Sequence, residues 1–114
     1  MLPEVNRLTG ADNFKKIEQE GKIFQSHNMG LAYMMRGDKS PSRFGFIVST
    51  KISKDAVDRN RIKRILREAV RQILFKLNPG FDVVFLAKPS VIRIPTDAIM
   101  KEAQKSLEKI GITK

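Results

Sequence analysis

Positively charged side chains are concentrated in one short segment, AVDRNRIKRILREAVR, at residues 56–71. Between residues 51 and 76 the chain carries nine Lys or Arg and three Asp or Glu, so more than half of its formal net charge of +10 lies there. Arginine predominates, and its planar guanidinium can donate two hydrogen bonds to the oxygens of one phosphate. This chemistry predicts that the segment binds a phosphate-bearing polyanion.

The charge of the whole chain also favours a polyanionic partner, and nucleic acid is the first candidate. An anionic membrane surface is the second, and a merely solubilising surface is the alternative without a partner. A membrane-surface helix would use Lys more often and would expose a face of Trp, Phe or Leu. No segment approaches the ~20 apolar residues that span a bilayer, and the N-terminus lacks a signal or transit pattern. We therefore expect a cytoplasmic protein that binds no membrane.

Residues for catalysis by the polypeptide itself are sparse. The chain has no Cys and a single His, His27, which we interpret as a surface residue at the end of a strand. Asp12, Glu18 and Glu20 lie close in sequence, but no base, nucleophile or metal-ligand motif accompanies them. A Gly-rich phosphate loop is also missing. The sequence therefore predicts no catalytic residue and assigns no metal ligand.

Three helices must position the charged side chains. Apolar residues that recur every three or four positions predict helices over 12–20, 55–77 and 96–110. Asp55 is a suitable N-cap for the long helix, which an Asn-Pro-Gly sequence ends. On a helical wheel the cations of the long helix form a ridge beside its apolar stripe, with Arg61 on the other flank.

Strands are predicted between these helices. The runs 29–35 and 43–50 flank a Gly-Asp-Lys-Ser-Pro loop, which predicts an antiparallel hairpin. The nearly continuous apolar run 81–88 is typical of a central buried strand, and 22–27 is a further short strand. The predicted fold is a two-layer α+β sandwich in the order α-β-β-β-α-β-α, with a mostly antiparallel sheet and one domain over residues 1–114.

Aromatic residues divide into two groups. Phe14 and Tyr33 could equally be core or surface residues. The other six phenylalanines are expected in the core or packed against it: Phe24, Phe44, Phe46, Phe75, Phe81 and Phe85.

The string RNRIKR at 59–64, followed by Leu66-Arg67-Glu68, resembles the signature of the bacterial ribonuclease P protein component. The residues Val48-Ser49-Thr50-Lys51 stand where that family has a short strand and a Lys-rich turn. The likeness extends to 6–21 and to 81–88, so it covers nearly the whole chain with matching spacing.

The resemblance implies the protein subunit of a ribonucleoprotein that removes the 5′ leader from precursor tRNA. The RNA subunit would perform the cleavage with Mg²⁺, and the protein alone would bind no cofactor and would not be catalytic. Its expected partners are ribonuclease P RNA and precursor tRNA, and no DNA. The resemblance also implies a left-handed crossover between strands 43–50 and 81–88, an exception to the usual right-handed rule.

Two sets of site residues follow from the resemblance. The residues expected to bind the RNA subunit are Arg59, Asn60, Arg61, Lys63, Arg64 and Arg67. The residues expected in a separate cleft for the leader are Phe14, Lys15, Tyr33, Ser49 and Lys51. Two positions depart from the family pattern: Glu18 stands where many members carry a second aromatic residue, and Ser53 where Gly is common.

Two other classes of function remain as alternatives. A ribosomal or assembly protein would bind structured RNA as a passive scaffold and would sediment with ribosomes. A DNA-binding module would insert the Arg- and Asn-bearing helix into a major groove and would prefer duplex DNA at matched salt. Helix-turn-helix spacing does not accompany the helix, which disfavours the second alternative.

Overall fold

The computed structural model describes residues 2–114, apart from the side chain of Ala11. Its helices and strands are α1 (Ala11–Glu20), β1 (Lys22–Gln25), β2 (Met29–Met35), β3 (Arg43–Ile47), α2 (Ala56–Ile73), β4 (Phe81–Ala87) and α3 (Thr96–Lys109). Short 3-10 turns lie at Glu4–Asn6, Leu74–Lys76 and Pro89–Arg93. The predicted order of elements is confirmed. Among residues 2–114, no helix has the length and apolar character needed to cross a bilayer.

The four strands form one sheet in the order β1-β2-β4-β3. β2 pairs antiparallel with β1 and β4, whereas β3 pairs parallel with β4. The prediction of a hairpin between 29–35 and 43–50 is therefore wrong, because β4 lies between those strands. The turn signal is local and carries no information about β4, which comes later in the chain. β4 is apolar on both faces, and such a strand is most stable in a central position. The handedness of the β3–α2–β4 crossover stays a prediction.

Alternation along the strands separates two hydrophobic clusters. On one face Met29 and Leu31 of β2 join the main core under α2 and α3. On the other face Ala32 of β2 and Val84 of β4 pack with Ile17 of α1. The predicted α+β fold is confirmed, and α1 covers part of the sheet face that α2 and α3 leave free.

The ends of several elements differ from prediction. α2 ends at Ile73 instead of 77, and the chain continues as a 3-10 turn. The next residue, Leu77, pairs with Thr113 near the C-terminus. This turn directs Phe75 outward, with 72% of its surface exposed, so the prediction that Phe75 packs against the core is wrong. The strands predicted over 22–27, 43–50 and 81–88 end early, as the bounds above show.

Candidate nucleic-acid interface

α2 begins at the predicted cap. The Asp55 carboxylate accepts a hydrogen bond of 2.9 Å from the backbone N–H of Val57, which satisfies one of the free amides of the first turn. The buried stripe of the helix consists of Ile62, Ile65, Leu66, Ala69 and Val70. Because this stripe packs against β3 and α3, the opposite side of α2 faces solvent.

Six polar residues in the first part of α2 form what we call the basic face: Arg59, Asn60, Arg61, Lys63, Arg64 and Arg67. Asn60, Arg64 and Arg67 are exposed, and the other three are half-buried. Within residues 2–114, none of its five cations forms a salt bridge with a carboxylate. The positive charge of the basic face is therefore not neutralised by salt bridges within the part of the chain that the structure describes.

Arg71, one turn beyond the basic face, does have a carboxylate partner. Its guanidinium forms a salt bridge with the Glu68 carboxylate. The hydrogen bond from Arg71 lowers the pKa of Glu68 below its ordinary value. The charge of Arg71 is thus partly compensated.

The sheet holds one arginine of the basic face in place. The guanidinium carbon of Arg67 lies 5.9 Å from the ring centre of Phe46, within cation–π range. Phe46 stacks in turn on Phe85, with 5.4 Å between ring centres. Arg67 therefore lies over the edge strand β3, in contact with the ring of Phe46.

The turn between β3 and α2 is tied to the start of the helix. The Ser53 hydroxyl accepts a hydrogen bond from the backbone N–H of Asp55 (3.1 Å) and donates one to the Asp58 carboxylate (3.2 Å). The Ser53 carbonyl accepts a hydrogen bond of 2.8 Å from Arg59. Ser53, where the family commonly has Gly, thus orders the entry to the basic face. Ser49 and Lys51 lie exposed in the same turn.

An apolar depression of about 310 Å³, which we call the groove, lies on the other face of the sheet beside α1. Its lining residues are Phe14, Ile17, Glu18, Ile23, Ala32, Ile47, Val84 and Leu86. Phe14 is half-buried there, as the sequence allowed, while Lys15 is exposed on the same helix. Glu18, the departure from the family pattern, is the one charged side chain among the lining residues.

Tyr33 does not join the groove. It lies on the same face of β2 as Leu31 and packs against the main core, opposite Phe14. The placement of Tyr33 in one cleft with Phe14 is therefore wrong, because successive residues of a strand point to opposite faces. Ala32, its neighbour in β2, lines the groove instead.

Sequence reasoning missed two residues of the groove. Ile23 of β1 and Ile47 of β3 expose 62% and 40% of their surfaces, on the two edge strands of the sheet. The sequence carries no local signal for them, because each lies beside another apolar residue, Phe24 next to Ile23 and Phe46 next to Ile47. Their place in the groove depends on the order of the strands in the sheet, and the predicted hairpin gave the wrong order.

Metal binding was left unassigned by the sequence. Among the residues that the structure describes, no group of three or more Asp, Glu or His side chains could hold an ion. The expected need for Mg²⁺ therefore stays an implication of the family resemblance.

Comparison with known proteins decides the family. The family model described as ribonuclease P matches residues 2–111. The chain belongs to the ribonuclease P protein family. The ribonuclease P protein component of Rippkaea orientalis is 34% identical over 97% of this chain and 91% of that protein. The component of Clostridioides difficile is 34% identical over 94% of this chain and 92% of that protein.

Solved structures agree with this assignment. The ribonuclease P protein of Thermotoga maritima matches with a TM-score of 0.81 and 26% identity, over 90% of this chain and 96% of that one. That of Staphylococcus aureus matches with a TM-score of 0.89 over 97% of this chain and all of that one, and its 21% identity shows the shared fold alone. The chain is the protein component of ribonuclease P, an accessory subunit of a tRNA-processing endoribonuclease, and its partner is ribonuclease P RNA.

Proposed function

We propose that the basic face of α2 binds ribonuclease P RNA. The observation that carries this proposal is the set of five cations without a carboxylate partner, fixed beside a buried apolar stripe. Like charges at spacings of three and four residues cost a few tenths of a kcal/mol per pair, and a polyanion removes this cost. Arginines suit the task because each can bind two phosphate oxygens.

We further propose that the groove binds the single-stranded 5′ leader of precursor tRNA. Its support is a half-buried aromatic ring, Phe14, beside two exposed isoleucines on a face of the sheet away from α2. Nucleobases stack on such surfaces whatever their identity, which suits a leader of varied sequence. Lys15 lies exposed on α1, while Ser49 and Lys51 follow Ile47 in the chain and offer phosphate contacts. Mg²⁺ chemistry stays with the RNA subunit.

The first test is a reconstitution. A bacterial ribonuclease P RNA is mixed with leader-bearing precursor tRNA at low Mg²⁺, with and without this protein, and mature 5′ ends are counted. We expect stimulated cleavage that disappears when the RNA subunit is omitted. Without stimulation for several RNA subunits, but with intact RNA binding and co-sedimentation with ribosomes, the scaffold function would replace this proposal.

The basic face is tested by charge. We expect the double variant Arg61→Gln/Arg64→Gln to bind the RNA subunit more weakly and to flatten the slope of log affinity against log salt by roughly 0.7 to 0.9 per lost phosphate contact. The matched control is Lys101→Gln/Lys105→Gln, which removes two exposed charges from α3. Equal losses in both variants would show a non-specific effect of net charge.

The groove is tested by its aromatic ring. We expect Phe14→Ala to leave assembly with the RNA subunit unchanged and to reduce the preference for precursor over mature tRNA. The stacking of one base is worth on the order of 1–3 kcal/mol. If the variant weakens binding of both tRNAs equally, the groove does not hold the leader.

A further inference from the structure

Phe75 exposes a larger fraction of its surface, 72%, than any other large apolar residue of the described chain. It lies in the 3-10 turn Leu74–Lys76, whose flanking Leu77 is buried. An exposed ring gains little from folding, because hydrophobic stabilisation is proportional to the apolar area removed from water. Phe75 therefore contributes little to the stability of the fold, which leaves its ring available for binding.

The surroundings of Phe75 are basic. The Lys76 ammonium lies 5.8 Å from the centre of the Phe75 ring. The backbone N–H of Lys114 donates a hydrogen bond of 2.7 Å to the Lys76 carbonyl, so the C-terminal residues run beside this turn. Neither 69–81 nor 109–114 contains an Asp or Glu. A ring with a cation beside it is an arrangement that can bind bases of single-stranded nucleic acid.

The position of Phe75 continues the basic face. It follows Arg67 by eight residues, which corresponds to about 12 Å along a helix axis. Arg71, whose charge Glu68 partly compensates, lies between them, so basic side chains follow one another from the basic face to the ring. A strand of RNA bound along α2 would reach Phe75 without leaving the protein.

We propose that Phe75, with Lys76 beside it, is a stacking site for an unpaired nucleotide of ribonuclease P RNA. The inference rests on the proposed role of the basic face and adds to it a contact that depends on aromatic area instead of charge. A second copy of this chain is a poorer occupant, because a stable protein interface needs an apolar patch far larger than one ring. The neighbours Gln72 and Lys76 are exposed and polar.

The test uses the absence of Trp from the sequence. In Phe75→Trp, the only indole of the chain reports on the site, and we expect its fluorescence to be quenched when bacterial ribonuclease P RNA is added. We expect Phe75→Ala to weaken RNA binding about tenfold at every salt concentration, with an unchanged salt slope, and Phe75→Trp to retain wild-type affinity. Matched controls are Met35→Trp and Met35→Ala, since Met35 is 71% exposed outside α2.

The outcomes separate the two proposals. If Arg61→Gln/Arg64→Gln weakens binding but Phe75→Ala does not, the basic face stands and the stacking site is refuted. If neither change matters, the proposed function of α2 fails as well. A dimer that forms without RNA and is lost in Phe75→Ala, with RNA affinity unchanged, would assign the ring to a protein contact and overturn the inference. Thermal unfolding of each variant shows that it is folded.

Discussion

Gly45 of β3 lies directly against the ring of Phe14, so close that a Cβ atom on Gly45 would stand 2.7 Å from Cε1 and 2.9 Å from Cζ of that ring. Real Cβ atoms do not approach other heavy atoms so closely. The absence of a side chain at Gly45 therefore lets the aromatic ring settle against the sheet and sets the depth of the groove.

We predict that Gly45→Ala displaces the Phe14 ring. Because the ring is the far end of a half-buried side chain, it can swing away, and we expect the free energy of unfolding to fall by only about 1–2 kcal/mol. The preference for leader-bearing precursor should fall as it does in Phe14→Ala. Urea unfolding and tRNA-binding assays measure the two effects.

A double-mutant cycle provides the control for this prediction. In the Phe14→Ala background the ring is gone, so adding Gly45→Ala should change stability by less than about 0.5 kcal/mol. An equal loss in both backgrounds would mean that the methyl group strains β3 itself, and that Gly45 does not act through Phe14.

Local periodicity predicted the parts of the fold that depend on one element. The apolar spacing of α2 identified its buried stripe, and the bounds of β2 were predicted correctly, because each follows from which side chains a single element buries. The hairpin prediction failed because strand pairing depends on all the strands of a sheet. The turn signal predicted that β2 pairs with β3, but β4 lies between them.

In the candidate sites too, features that depend on a single element were predicted better than features that depend on how several elements pack. Spacing predicted a ridge of cations beside the apolar stripe of α2, and the family resemblance supplied the particular residues of the basic face. Tyr33 was misplaced because its position in the family pattern does not say which face of β2 it occupies. The alternation of side chains along a strand does give the face, because Tyr33 lies two residues after Leu31 and therefore on the same face. Phe75 was misplaced because it was assigned to the core as an aromatic residue, although it does not belong to the apolar spacing that Ile73, Leu74 and Leu77 continue.

Asp82 provides a test of the core beside the groove. Its carboxylate is 2% exposed and accepts hydrogen bonds from Arg43 (2.9 and 2.8 Å) and Arg36 (2.5 Å). We expect Asp82→Ala to lower the free energy of unfolding by about 3–5 kcal/mol, because two arginines lose their buried partner. Urea unfolding measures this loss. Asp38→Ala is the matched control: it removes an exposed partner of Arg36, so the free energy of unfolding should fall far less than in Asp82→Ala.

Glu102 anchors the loop between β1 and β2 to α3. Its carboxylate accepts hydrogen bonds from the Ser26 hydroxyl (2.7 Å), the Asn28 backbone N–H (2.7 Å) and the Asn28 side chain (2.6 Å). Partial burial opposes ionisation, but the hydrogen bonds from Asn28 and Ser26 outweigh it and lower the pKa of Glu102. The ionised form is therefore the one that stabilises the fold.

The pH dependence follows from this direction. A lowered pKa in the folded state adds stability above the pKa of an unfolded glutamate, about 4.3, and this stability is lost as the pH falls through the folded value. We expect Glu102→Gln to be about 1–2 kcal/mol less stable than the wild type at pH 7, and we expect this difference to shrink as the pH is lowered to 3, by urea unfolding. Glu108→Gln, exposed on the same helix, should show no such difference; a constant loss at both pH values would refute the role of the charge.

Glu18 offers a test of the groove in which activity should rise. Its carboxylate lines a site proposed to hold the leader, whose phosphates are negative, so we expect Glu18→Gln to raise the affinity for precursor tRNA about two- to fivefold and to leave mature tRNA unchanged. The gain should shrink at high salt, because screening weakens the repulsion that the substitution removes. Glu20→Gln is the matched control, since it changes the same charge on α1 outside the groove. Equal gains in both variants would reflect net charge alone, and a loss in Glu18→Gln would mean that the carboxylate accepts hydrogen bonds from leader bases.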